Sequence, residues 1–202
     1  GGVGLTAGNL TFPEIAFRDD RARSNYDRAV ELARAGELEA ADRLLDGVIA
    51  GGGTDAAGEE VLRRFREDVT IEIVLDLHAQ DEDAGQARLA EAIESGVFVS
   101  RRGEASTQLI RWVGSEASDL ARRGEFSAAN RQLEAALAVS NNVSESLRDA
   151  LRTQHRTVLS NWIGREIERA MEDDRWAAVR SLLSDATQRY PNDAALGRHA
   201  ET

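Results

Sequence analysis

Leu32-Ala33-Arg34-Ala35-Gly36-Glu37-Leu38-Glu39-Ala40-Ala41 stands over Leu120-Ala121-Arg122-Arg123-Gly124-Glu125-Phe126-Ser127-Ala128-Ala129 without a gap. Each stretch reads as the end of one helix, a glycine where the chain reverses, and the start of a second helix. Glycine takes the left-handed conformation that commonly ends a helix. The large side chain after it, Leu38 or Phe126, plugs the bend, and the small Ala41 or Ala129 lets the two helices cross closely. Residues 170–179 fall in the same register, with Asp174 at the glycine place, Trp176 at the Leu38 place and Ala178-Val179 at the small places. Downstream, Leu45, Leu133 and Leu183 coincide, as do Val48, Ala136 and Ala186. A weaker copy centred on Asp81 puts Leu77, Leu89, Ala90 and Ile93 at core places. Trp112-Val113-Gly114-Ser115-Glu116 parallels Trp162-Ile163-Gly164-Arg165-Glu166.

Outward from these turns, apolar residues recur at helical spacing. Ala29, Leu32 and Ala33 make one stripe, and Leu38, Ala41, Leu44, Leu45 and Val48 make the next. Gly51-Gly52-Gly53 closes that pair and reads as a linker, as does Gly1-Gly2-Val3-Gly4. Long helices are predicted over about 55–79, 104–123 and 143–172, with shorter ones between and a final one to about 188. Asp81-Glu82-Asp83 and Glu172-Asp173-Asp174 fall at turns, where carboxylates cap helices. Asn142 with Glu145 fits a capping box. Residues 1–18 read as an irregular lead-in containing Thr11-Phe12-Pro13, and residues 19–202 as a single helical repeat domain. The only prolines are Pro13 and Pro191, so none breaks a helix between them. Alternating β-type runs are absent. The fold class expected is all-α, an αα-hairpin superhelix of about four hairpins.

Composition excludes several functions. The net charge of −11 disfavours a phosphate backbone as partner, so no nucleic-acid binding is expected. All 25 basic residues are arginine, which a GC-rich genome or adaptation to high salt would explain. The absence of cysteine removes disulfides, thiolate nucleophiles and cysteine metal sites. No apolar run approaches the roughly 20 residues that span a bilayer. The chain opens at Gly1 rather than Met, which suggests a processed or truncated piece. Its compartment stays open; a soluble extracytoplasmic domain of a bacterial chain is one expectation.

The Gly-acidic-bulky turn, the small crossing residue, the leucine four places on and the closing Tyr190-Pro191-Asn192 together resemble the tetratricopeptide repeat. The resemblance covers about residues 21–193 in outline and the hairpin turns in detail. It departs in period: copies lie 45, 43 and 50 residues apart, against about 34 in that family, with the excess in the first helix of each pair. Armadillo- or HEAT-like spacing and a plain helical bundle are the alternatives.

The resemblance implies a groove lined by the first helix of each hairpin. In register it takes Arg23, Tyr26 and Arg34, then Asp68, Ile71, Leu75 and His78, then Arg111, Ser118 and Arg122, then Asn161, Glu168 and Met171. Such a mixture would hold a protein or peptide partner by charge-assisted hydrogen bonds, an acidic tail among the options. The bland alternative is a solvated helix face. Trp112 and Trp162 invite ligand stacking, but core packing explains them better, as it does Trp176.

Catalytic signatures are missing. His78, His155 and His199 form no His-x-x-x-His or Glu-x-x-His pair, so no metal and no cofactor is expected. The glycine runs lack the Lys-Ser/Thr of a phosphate loop, and no Gly-x-Ser-x-Gly elbow occurs. The expectation is a non-enzymatic interaction scaffold. Its rivals are self-association through Leu147, Leu151, Val158 and Ile163, and a helical support domain of a larger cell-envelope protein or enzyme.

Overall fold

A computed structural model describes residues 5–173 and 176–200. The glycines at Gly1, Gly2 and Gly4, and Asp174 at its turn place, lie outside the described residues. Among those described the chain is all-helical, with one isolated antiparallel bridge between Phe17 and Thr54. The helices are α1 (Asp20–Arg34), α2 (Leu38–Ala50), α3 (Ala56–Gln80), α4 (Glu82–Glu94), α5 (Arg102–Arg122), α6 (Phe126–Ala138), α7 (Glu145–Asp173), α8 (Trp176–Arg189) and α9 (Ala194–Ala200). They divide into two compact units, Gly1–Leu109 and Ile110–Thr202, where the sequence reads as one array.

The quoted stretch builds the same turn twice. Gly36 and Gly124 both sit at φ +80. Glu37 N donates to Leu32 O at 2.9 Å, and Glu125 N donates to Leu120 O at 2.9 Å. These bonds take up carbonyls that the helix end would leave unpaired. Ala41 and Ala129 are fully buried at the crossings, and Leu45 and Leu133 lie fully buried one turn on.

In α4 the repeat runs one residue out of step with the sequence alignment. Asp81 alone separates α3 from α4, and its side chain caps α4 by accepting from Ala84 N at 3.0 Å. The shorter turn moves the crossing place to Gly85, where an added Cβ would meet the backbone and Cβ of His78. Leu89 and Ala92 then fill the core, while Ala90, expected inside, is exposed.

Three further expectations are corrected. Gly51-Gly52-Gly53 is no loose linker: Gly52 has φ +63, Gly53 N bonds back to Val48 O, and Gly53 packs on Ala22. The cap of α7 is Ser144, which accepts from Leu147 N at 3.4 Å; Asn142 is taken up by a 3-10 turn, Ser140–Asn142. The closing Pro191-Asn192-Asp193 starts another helix, α9, capped by Asp193 Oδ1 from Ala195 N at 2.9 Å and Leu196 N at 3.1 Å. Leu196 is fully buried and packs with Leu159, Ile163 and Ala186 of α7 and α8.

In the first unit the core runs through α1, α2 and α3, from Ala22, Tyr26 and Ala29 to Leu62, Phe65, Val69 and Ile73. The entry to α5 is fixed by Glu67 of α3. This buried carboxylate accepts from Val99 N at 2.7 Å, Ser100 N at 2.8 Å, Ser100 Oγ at 2.6 Å and Arg101 N at 3.1 Å. A buried carboxylate is tolerated only when so many donors meet it. In the second unit Leu151, Val158 and Ile163 of α7 are buried, so most of the face considered for self-association is spent inside that unit.

Candidate functional site

Residues 5–18 are the first surprise, because they form part of the first unit. They carry no helix, and from Leu10 onward the side chains alternate. Leu10, Phe12, Ile15 and Phe17 pack on the core cluster, while Thr11, Glu14, Ala16 and Arg18 face outward. Pro13, half-buried, shifts the alternation by one. The segment runs antiparallel to α1 and α3. Phe17 bridges Thr54, and Arg18 N donates to Gly53 O at 2.8 Å. Ile15 abuts Gly58, the ring of Phe12 meets Phe65 edge-on at 5.7 Å, and Gly8 N donates to Glu72 Oε1 at 2.8 Å.

Lengths agree with this path. From residue 15 to residue 8 an extended chain advances about 23 Å at 3.3 Å per residue. From Gly58 to Glu72 a helix rises about 21 Å at 1.5 Å per residue. The contacts on α3 fall at residues 58, 65 and 72, a heptad apart and hence on one face. From α1, Tyr26 Oη donates to Pro13 O at 2.5 Å, and the Arg34 guanidinium lies over the Phe12 ring at 4.7 Å. The arrangement is a groove between two first helices, holding an extended segment by alternate side chains and a few main-chain bonds.

This redraws the groove expected from sequence. Tyr26 is buried between Phe17 and Phe65, with its hydroxyl committed to Pro13, so it supports the lead-in and offers nothing outward. Burial, with Asp27 adding and Arg34 opposing, pushes its phenol up to about 12. Arg34 is exposed but stacked on Phe12; Arg23 is exposed. On α3 the expected positions are rotated away from the groove. Ile71 is buried, Asp68 pairs with Arg101 at 3.3 Å, and His78 sits at the α3–α4 crossing with Nδ1 3.2 Å from Glu82 O. The heptad of Gly58, Phe65 and Glu72 serves instead.

In the second unit Arg111, Ser118, Arg122 and Asn161 are all exposed, with Glu168 and Met171. Arg111, Arg122 and Asn161 stand where Arg23, Arg34 and Glu72 stand in the first. Gly114 and Gln154 take the places of Tyr26 and Phe65, and a polar contact replaces the aromatic one. Gln154 Nε2 donates to Gly114 O at 2.7 Å and to Ser118 Oγ at 2.8 Å. Arg122 pairs with Asp119. The structure thus leaves four of the expected residues exposed on α5 and α7, while Tyr26 is buried and His78 is half-buried at the α3–α4 crossing.

Sequence reasoning missed two buried polar junctions. Asp42, on the core side of α2, receives Arg66 Nε at 2.8 Å and Arg88 Nη2 at 3.2 Å. Asp46 and Glu39 complete the ion pairs of these two arginines. At the matching places of the second unit stand Asn130 and His155. Fully buried His155 meets Asn130 Oδ1 through Nε2 at 2.8 Å and the Tyr190 hydroxyl through Nδ1 at 2.7 Å. An amide oxygen only accepts, so Nε2 carries the hydrogen and Nδ1 accepts from Tyr190. Burial, aided by nearby Arg189 and opposed by Glu134, lowers its pKa to about 4, so the ring is neutral. Asp42, directly after Ala41 in an apolar stripe, was the available signal.

Each unit also has a cleft built from the same positions. In the first, Gly36, Glu37, Leu38 and Arg43 face Ile73, Asp76, Leu77 and Gln80 across about 410 Å³. In the second, residues 88 places on (Gly124, Glu125, Phe126 and Arg131) face residues 89 places on (Trp162, Arg165, Glu166 and Arg169) across about 790 Å³. The first has an apolar floor. The second pairs its own charges, with Arg123–Glu125 at 2.7 Å, Arg165–Glu168 at 3.3 Å and Arg169–Glu166 at 2.9 Å.

No group of three His, Asp or Glu side chains comes together to hold a metal among the described residues, and none of their helices is long and apolar enough to cross a membrane. No protein-family model matches the chain, and no curated protein or solved structure matches it either.

Proposed function

We propose that this chain is a non-enzymatic interaction scaffold that holds an extended segment of a protein or peptide partner along its first helices. The observation that carries the reading is the lead-in laid between α1 and α3 by alternate side chains, with Tyr26 bonded to the Pro13 carbonyl. A helix face that seats one extended segment has the shape and donors to seat another. In the second unit Arg111, Ser118, Arg122 and Asn161 face solvent, and we assign them the polar contacts to the partner. The reading includes a tetratricopeptide-like repeat. Its support is the turn geometry shared by residues 32–41 and 120–129 and the cleft that recurs beside each turn.

Selection of a peptide-display library on the full chain tests this, followed by fluorescence anisotropy with a labelled selected peptide. Replacing Arg111→Glu together with Arg122→Glu should weaken binding at least about tenfold, because two charge-assisted contacts at about 1.5 kcal/mol or more each are reversed in sign. Circular dichroism should not change, since both side chains are exposed. A library that yields no peptide above background, or an affinity the double variant leaves alone, counts against the scaffold reading.

A further inference from the structure

The lead-in is held differently from the helices around it. Leu10, Phe12, Ile15 and Phe17 are half-buried and Leu5 at its start is buried, whereas Tyr26 and Phe65 beneath the four are buried. Between Leu5 and Leu10, the residues Thr6, Ala7, Gly8 and Asn9 are exposed, and Gly8 N donates to Glu72 of α3. The floor beneath it is built by helices alone: Ala29, Leu62, Phe65 and Val69 belong to one buried cluster of α1, α2 and α3, against which the lead-in packs. Recognition is spelled out residue by residue. An aromatic ring lies between Phe65 and Arg34, a carbonyl meets Tyr26, a branched side chain abuts Gly58, and a second aromatic ring meets Tyr26.

From this we infer that the α1–α3 groove is a binding site for extended segments of the pattern apolar-x-aromatic-Pro-x-branched-x-aromatic, which the lead-in fills in cis and a partner segment of the same pattern fills in trans. The inference rests on the proposed reading of the helix face and names the ligand class and its built-in competitor. Alternate side chains supply the selectivity, as in other extended-peptide sites. The cis segment is tethered directly to α1, so its effective concentration is high and a trans ligand binds the unaltered chain weakly.

The test uses the full chain and a fluorescein-labelled synthetic peptide with the sequence of residues 5–19. Phe12→Ala with Phe17→Ala loosens the cis segment and leaves the groove residues in place. That variant should bind the peptide saturably, at least tenfold tighter than the unaltered chain. A variant that keeps its helical circular dichroism but shows no saturable binding overturns the inference. Hydrogen exchange on the unaltered chain covers the case in which the variant fails to fold. Gly8 and Arg18 amides exchanging well ahead of the α1 and α3 amides support a releasable segment, and exchange in one step with those helices overturns it. A concentration-dependent dimer that the free peptide dissolves gives the groove to a second copy's lead-in and overturns the partner assignment. Failure here combined with a display-selected peptide that depends on Arg111 and Arg122 would leave the scaffold reading intact.

Discussion

Arg66 and His155 stand at the same place of two helices, and each turns a nitrogen on the matching residue of the helix before it. Arg66 Nε meets Asp42 Oδ1 at 2.8 Å, and His155 Nε2 meets Asn130 Oδ1 at 2.8 Å. One junction is charged and the other neutral, yet both fasten a second helix to the first helix of the next hairpin. In the charged one, Asp42 is 5% exposed and cannot be left without a cation. Arg88 still reaches it at 3.2 Å, so Arg66→Met should cost about 2–3 kcal/mol, below the 3–5 typical of a fully broken buried pair. Urea denaturation followed by circular dichroism measures this. A loss under about 0.5 kcal/mol, the range of ordinary surface changes, would show the junction to be incidental.

The neutral junction makes stability depend on pH. His155 has a folded pKa of about 4 against 6.5 unperturbed, because burial and Arg189 oppose its charge. The folded state therefore favours the neutral ring. Its contribution is fully present above pH 6.5 and is lost as pH falls through about 4. Glu134, Arg152, Arg156 and Arg189 lie around the ring and Tyr190, and the net effect is the downward shift. In His155→Gln, a side chain that cannot titrate, the melting temperature should fall less steeply between pH 6.5 and 4. Parallel curves for the two proteins would remove His155 as the cause.

Glycine does two different jobs at the turns, and substitution separates them. At Gly36 φ is +80 and an added Cβ would meet nothing within 4 Å, so Gly36→Ala costs only backbone strain, about 1 kcal/mol. At Gly85 the backbone is helical, but a Cβ would run into His78, so Gly85→Ala forces α3 and α4 apart. Its cost should be about 2–3 kcal/mol, in the range of overpacked cores. Equal losses in the two variants would contradict the crossing assigned to Gly85.

The contrast between these glycines also marks what was legible in the sequence. Gly36 and Gly124 could be read directly, because helix ends with left-handed glycine leave a local signature and the repeat supplied it twice. Gly85 could not, since a one-residue turn at Asp81 shifts the register by one place from the copy centred there. The groove positions expected on α3 differ from those that meet the lead-in for a related reason. Over a 25-residue helix a rotation of one position turns the chosen face aside, so Asp68, Ile71 and His78 were named where Gly58, Phe65 and Glu72 serve. The lead-in was least legible of all. Its alternation spans few residues, is interrupted by Pro13, and gains meaning only from the helix face beneath it. On α5, by contrast, the positions that the repeat register assigns to an outward face, Arg111, Ser118 and Arg122, are exposed, opposite buried Val113, Ala117 and Leu120.

Tyr26 ties that lead-in to pH at the alkaline end. Its phenol donates to the Pro13 carbonyl at 2.5 Å, and a phenolate has no hydrogen to donate. Burial first, then Asp27, raise the folded pKa to about 12, while Arg34 lowers it. A raised folded value means the contribution is fully present below the ordinary value of about 10 and is lost as pH rises through about 12. Burial also raises Tyr190, so both tyrosines of the chain should titrate late. Tyr26→Phe keeps the ring between Phe17 and Phe65 and removes only the hydroxyl. It should cost about 1 kcal/mol, the net worth of one hydrogen bond. It should also speed tryptic cleavage after Arg18, which is exposed but lies beside the Phe17–Thr54 bridge. In a Tyr190→Phe background the remaining phenol is Tyr26, and ultraviolet absorbance reads its ionisation directly. A midpoint near 10 there would mean that Tyr26 is neither buried nor bonded to Pro13, and the seat of the lead-in would have to be redrawn.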